Sequence, residues 1–219
     1  MSGDTVLVVA PHALDEALGC GGVVRRHADA GDAVSVLILF GDGADHDKDR
    51  RIAAGKAAMA LGSAPPSFAG FSENRSDTVP LAEIVRVVEQ AVSELQPATV
   101  YVSHGGNLNI DHQTAFRATA TALRPVPGLP VRRFLAYEIL SSTDWAPPGF
   151  GALFVPTYYV DITPQLDRKV EALRLYGDEM RRQPHARSLG SVRALAARRG
   201  MSIGLPAAEA FAVLRWIET

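Results

Sequence analysis

Short runs of consecutive apolar residues alternate along the first half of the chain with segments whose apolar positions recur at helical spacing. Thr5–Ala10 (TVLVVA) and Ala33–Phe40 (AVSVLILF) are continuous and β-branched. Such runs suit central strands of a parallel sheet, which are covered on both faces. Ala98–Val102 reads the same way, and Phe68–Phe71 as a shorter strand. Between them the pattern predicts helices over Gly19–Ala30, closed by Gly31, over Lys48–Leu61, stopped by Gly62, and over Leu81–Leu95, ending before Pro97. A further helix is expected over Asp111–Leu123. The order β-α-β-α-β-α-β-α implies parallel strands with right-handed crossovers, hence a single α/β domain with a Rossmann-like, doubly wound, mostly parallel sheet spanning residues 1–219. Arg132–Leu140 and Leu153–Ile162 read as later strands flanking a Trp145-Ala-Pro-Pro-Gly loop. Pro164 opens a helix to about Tyr176, and Ser191–Arg199 and Ala207–Ile217 are expected to be helical.

Composition narrows the class. With 219 residues, 47% hydrophobic and 21% charged, the chain can bury a core without disulfides. A formal net charge of −2 leaves no electrostatic footprint for nucleic acid or an anionic membrane. The lone Cys20 fits a reducing compartment. No secretory signal or membrane-length apolar run is visible, so a cytoplasmic protein is expected.

In doubly wound sheets ligands lie beyond the carboxyl ends of the strands. Three loops there are polar: Pro11-His12-Ala13-Leu14-Asp15-Glu16, Gly41-Asp42-Gly43 with Asp45 and His46, and the loop from Ser103 and His104 through Asn107 and Asn109 to Asp111 and His112. His12, Asp15 and His112 make a two-imidazole, one-carboxylate set, which suits a catalytic zinc ion with one position open for water. The same residues also fit a loop histidine and a helix N-cap. Gly19, Gly21 and Gly22 do not form a dinucleotide fingerprint and instead suit close helix–sheet packing, with Cys20 a small buried neighbour.

Residues 5–22, which contain VLVVAPHALDEALGCGG, resemble the N-terminal signature of the LmbE/PIG-L family of zinc-dependent N-acetyl-sugar deacetylases. Asn109-Ile110-Asp111-His112 resembles the family's second signature, and the Glu73-Asn74-Arg75 and Glu138–Trp145 regions are also similar. The resemblance implies Zn2+ held by His12, Asp15 and His112, and removal of an acetyl group from an N-acetylglucosamine-type sugar or glycoconjugate. It implies substrate contacts at Arg75 and Glu138. The family's general base is the first aspartate of an Asp-Asp pair, and here that position is Leu14. Ala13 replaces the usual proline, and Asn109 a histidine that assists the oxyanion. Leucine cannot accept a proton, so the proton work falls to His104, Asp111 or Glu16. Asn109 remains able to donate a hydrogen bond to the oxyanion.

Asp144 and His185 are weaker site candidates, and His27 and His46 are expected at the surface. Three rivals stand beside the atypical deacetylase: a zinc- or sugar-binding protein that has lost the base, a metal-free nucleotide binder, and a hydrolase for another amide or ester.

Overall fold

The computed structural model describes residues 3–41 and 45–218. The turn expected at Asp42-Gly43 and the side chain of His46 lie outside the described residues. Strands β1 (Thr5–Ala10), β2 (Ala33–Phe40), β3 (Ser67–Phe71), β4 (Thr99–Ser103), β5 (Arg133–Tyr137), β6 (Tyr158–Asp161) and β7 (Ala208–Trp216) form one sheet in the order β3-β2-β1-β4-β5-β7-β6. The first five are parallel, and β7 runs antiparallel to both β5 and β6. Helices α1 (Asp15–Ala30), α2 (Asp45–Leu61), α3 (Leu81–Leu95), α4 (Ile110–Ala122), α5 (Leu166–Arg174) and α6 (Leu189–Met201) cover its two faces. The alternation of side chains along β1 shows this directly. Val6, Val8 and Ala10 join a core beneath α1, α2 and α5, while Leu7 and Val9 join one beneath α3 and α4.

Strand order reverses between β1 and β4. That is the topological switch point, where the loops leaving two adjacent strands diverge and open a crevice. The loops after β1 and β4 carry the two histidine-containing sequences, so the sheet itself brings them together.

Helix α1 begins at Asp15, a full turn before the expected Gly19, and is broken at Cys20, whose φ is −141°. The break leaves the amides of Gly22 and Val23 to donate to the buried Glu209 carboxylate at 2.8 and 2.7 Å. Glu209 also accepts from Lys169 Nζ at 2.7 Å, and the same ammonium caps the Leu18 carbonyl. Gly19 and Gly22 are needed for contact. A Cβ at Gly19 would stand 2.1 Å from the Tyr137 ring, and one at Gly22 2.8 Å from Ile162. Cys20 is buried in this packing, as expected.

One expected helix is a strand. Ala207–Ile217 forms β7, despite alanine, glutamate and leucine, all good helix formers. The slot between β5 and β6 leaves two ladders to be completed, and filling both outweighs local preference. The strand expected over Leu153–Ile162 shortens to β6, and its first part is an exposed loop.

Candidate active site

His12 stands two residues beyond β1, in the tight turn that opens α1. Its backbone N–H donates to Asp15 Oδ2 at 3.0 Å, so the turn holds its own carboxylate in place. Asn109 caps α4, accepting from the Asp111 amide at 2.8 Å, and the first turn of that helix presents His112. Asp15 Oδ2 then lies 3.3 Å from His12 Nδ1 and 3.2 Å from His112 Nε2. Ligand atoms at ~2.0–2.1 Å from a tetrahedral zinc are separated by roughly 3.3 Å, so this donor set fits the ion. All three residues are buried, and their donor atoms lie within 4.8 Å of one another.

Asp111 supports the set from behind. One carboxylate oxygen takes His12 Nε2 at 2.8 Å and the Asn74 amide at 2.6 Å, and the other the Ser76 amide at 3.3 Å. The carboxylate therefore fixes the histidine tautomer and leaves Nδ1 for a cation. His112 Nδ1 is buried without a partner. Burial alone would lower the His12 pKa, yet hydrogen bonds to Asp111 and Asp15 raise it to about 9. Burial opposes ionisation of Asp15 too, but the two imidazoles hold its pKa well below the carboxylate range. The cluster thus demands positive charge, which a proton supplies when no metal is bound.

The three residues form part of the wall of a cleft of about 730 Å³, together with Leu14, Arg50, Glu73, Asn109, Trp145 and others. Leu14 lines it but is only 3% exposed, and its φ of 99° is unusual for a leucine. Asn109 reaches the cleft while donating one amide hydrogen to Asn74 Oδ1 at 3.1 Å, which leaves the other free.

Other expected residues stand apart. His104 turns away, its Nε2 2.9 Å from the Ala152 carbonyl and its ring against Phe116 and Phe154; it anchors the loop that follows β5. Asp111 is wholly buried and supports His12 without lining the cleft. Arg75 is exposed and outside the lining. Glu138 is gripped by Arg199 at 2.8 and 2.6 Å and borders a separate small cavity. Glu16 is buried, accepting from the Leu14 amide at 3.0 Å and from the Tyr176 hydroxyl, and burial raises its pKa to about 7. His185 packs edge-on against Trp145 at the rim. Arg50, Glu179 and Arg187 carry no local pattern that marks them; only the fold brings them to the cleft.

A doubly wound α/β fold with a buried His-Asp-His set at its switch point defines an α/β protein whose donor set could hold a metal ion. The chain belongs to the PIG-L (GlcNAc-PI de-N-acetylase) family, whose model matches residues 7–123. It is 24% identical over 144 residues to the uncharacterized deacetylase YaiS of Escherichia coli, covering 63% of this chain and 75% of that protein. Among solved structures it resembles the N,N′-diacetylchitobiose deacetylase of Pyrococcus horikoshii, with a TM-score of 0.77 and 18% identity over 97% of this chain and 84% of that one. The fold is equally close to GalB, the 4-carboxy-2-hydroxymuconate hydratase of Pseudomonas putida, with a TM-score of 0.77 and 21% identity over 99% and 98%. No helix among the described residues is long and apolar enough to cross a membrane.

Proposed function

We propose that this protein is a zinc-dependent deacetylase that hydrolyses the amide of an N-acetylglucosamine-type sugar or glycoconjugate. The observation that carries the reading is the spacing of His12, Asp15 and His112 at the wall of a cleft of the size that takes one sugar-sized ligand. Family membership supports amide hydrolysis, and the named activity of the Pyrococcus protein supports an acetylated sugar.

His12, Asp15 and His112 would hold the ion, with Asp111 orienting His12. Bound zinc supplies Lewis-acid polarisation and lowers the pKa of water. The remaining hydrogen of the Asn109 amide is available to the oxyanion that develops on the acetyl carbonyl. Trp145, 53% exposed on the cleft wall, offers an apolar face to a pyranose, and Ser141 and Ser142 offer hydroxyls beside it.

Leu14 favours a second reading, a protein that binds zinc and sugar without turnover. Acetate release separates the two. The zinc-loaded chain should liberate acetate from N-acetylglucosamine or N,N′-diacetylchitobiose, and Asp15→Ala should lose most of both its zinc and its activity. An Asp15→Ala protein that keeps its zinc would reduce Asp15 to a turn-forming residue. Zinc-loaded parent protein that binds these sugars but releases no acetate would establish the binding role.

A further inference from the structure

The proton acceptor absent at position 14 has a counterpart elsewhere in the cleft. Besides Asp15, two carboxylates line it among the described residues, Glu73 and Glu179. Glu179 pairs instead with Arg187, whose guanidinium stands 3.7 Å away. Glu73 is tied to it through its own backbone. The next amide, Asn74 N–H, donates to the Asp111 oxygen that also holds His12 Nε2. The Asn74 side chain accepts from Asn109, and the Ser76 amide reaches the second Asp111 oxygen. One buried carboxylate therefore fixes the position of Glu73 and the orientation of His12 together.

The side chain of Glu73 is held from the other direction. Arg50 Nη1 donates to Oε1 at 3.3 Å and Nη2 donates to Oε2. Such a two-point contact limits rotation and aims the carboxylate, which remains 25% exposed and so accessible from the cleft. Burial acts against its charge, but Arg50 and nearby His12 outweigh it and hold the pKa below the usual range, so Glu73 is ionised at neutral pH. The other acids lack this access. Asp111 is wholly buried and does not line the cleft, and Glu16 is sealed behind Tyr176 and the Leu14 amide.

We propose that Glu73 is the general base of this site, serving from the loop after β3 in place of a carboxylate at position 14. The proposal rests on the hydrolytic reading. As the water oxygen bonds to the acetyl carbonyl carbon, one water proton passes to Glu73. Collapse of the tetrahedral adduct breaks the C–N bond, and the same proton passes from Glu73 to the departing nitrogen. Acetic acid and free amine leave, the acid giving its remaining water-derived proton to solvent, and Glu73 is again a carboxylate.

Glu73→Gln keeps the size of the side chain and one acceptor for Arg50. With zinc content and melting temperature within error of the parent, its kcat on N-acetylglucosamine or N,N′-diacetylchitobiose should fall by about 10²-fold or more, with KM little changed. Adding Leu14→Asp to it should recover activity. A second measurement needs no turnover. Acetohydroxamate loses its hydroxyl proton on chelating a metal, and calorimetry in buffers of different ionisation heat reads where that proton goes. The parent should retain it, and Glu73→Gln should release it to the buffer. Equal proton release from both proteins would overturn the assignment, as would a Glu73→Gln enzyme of parental kcat. A variant that loses zinc and stability in proportion to activity would make Glu73 only an anchor for Arg50. A parent that cleaves no acetylated sugar, yet differs from Glu73→Gln in proton release, would refute the deacetylase reading while leaving Glu73 as the proton acceptor.

Discussion

At the scale of single residues, Leu14 is the most consequential position. It is buried, lines the cleft and has a φ of 99°, a conformation in which its Cβ crowds the backbone. Replacing it with aspartate has two opposing effects. Removing a buried leucine side chain costs about 1.5–3 kcal/mol, whereas aspartate tolerates positive φ better. Leu14→Asp should therefore lower the melting temperature by a few degrees and still raise acetate release by about tenfold or more, because a carboxylate there would stand beside Asp15. A folded, zinc-loaded Leu14→Asp enzyme with no gain on any acetylated sugar would show that position 14 does not face the reacting amide. Asp111 and His104 illustrate how a residue's partners decide its role. Both follow β4, but Asp111 supports His12 of the His-Asp-His set and His104 secures a loop.

At the scale of elements, the kinked α1 and the strand β7 depend on each other. Just after the break at Cys20 the amides of Gly22 and Val23 donate to Glu209, and Glu209 in turn neutralises Lys169 from α5. Lys169 and Glu209 are almost wholly buried, so removing one charge leaves the other without compensation. Glu209→Ala should cost about 3–5 kcal/mol in urea unfolding. Combined with Lys169→Met it should cost distinctly less than the single variant, because the stranded ammonium is gone. Equal losses in the single and double variants would mean that the amides of Gly22 and Val23, and not the ion pair, dominate. The first turn of α1 carries Asp15, so this connection fixes the element on which the His-Asp-His set depends.

At the scale of the whole molecule, the site stores charge that pH can reveal. His12 is raised to about 9 by Asp111 and Asp15, with Glu73 adding to the effect. A folded-state value above the ordinary one stabilises fully below about pH 6.5, and that contribution is lost as pH rises through about 9. Glu16, raised to about 7 by burial, acts in the same direction, since its neutral form is favoured and its ionisation in the fold is costly. Chelator-stripped protein should therefore melt several degrees lower at pH 9 than at pH 6. Zinc-loaded protein should lose less over that interval, because the cation replaces the His12 proton. Stripped protein equally stable at both values would show that His12 is not held charged.

Much of this was legible in the sequence because its causes are local. Apolar runs of strand length marked β1, β2 and β4, and their alternation with helical patterns implied the parallel sheet with ligands beyond its strand ends. His12, Asp15 and His112 could be singled out because each lies in the loop or first helical turn that follows a strand, where such a sheet places its ligands. Tertiary structure decided the rest. Ala208–Trp216 became a strand because two ladders awaited it, against its own helical preference. Glu138 was captured by Arg199, and Arg75 was left at the surface. Glu73 and Arg50 come from different segments; the family resemblance covered the stretch around Glu73 without giving it a role, and Arg50 is an ordinary surface residue by pattern. The loop after β3, clamped to Asp111, brings Glu73 to the cleft and α2 brings Arg50, and such a meeting of distant segments leaves no period or spacing in the chain that makes it.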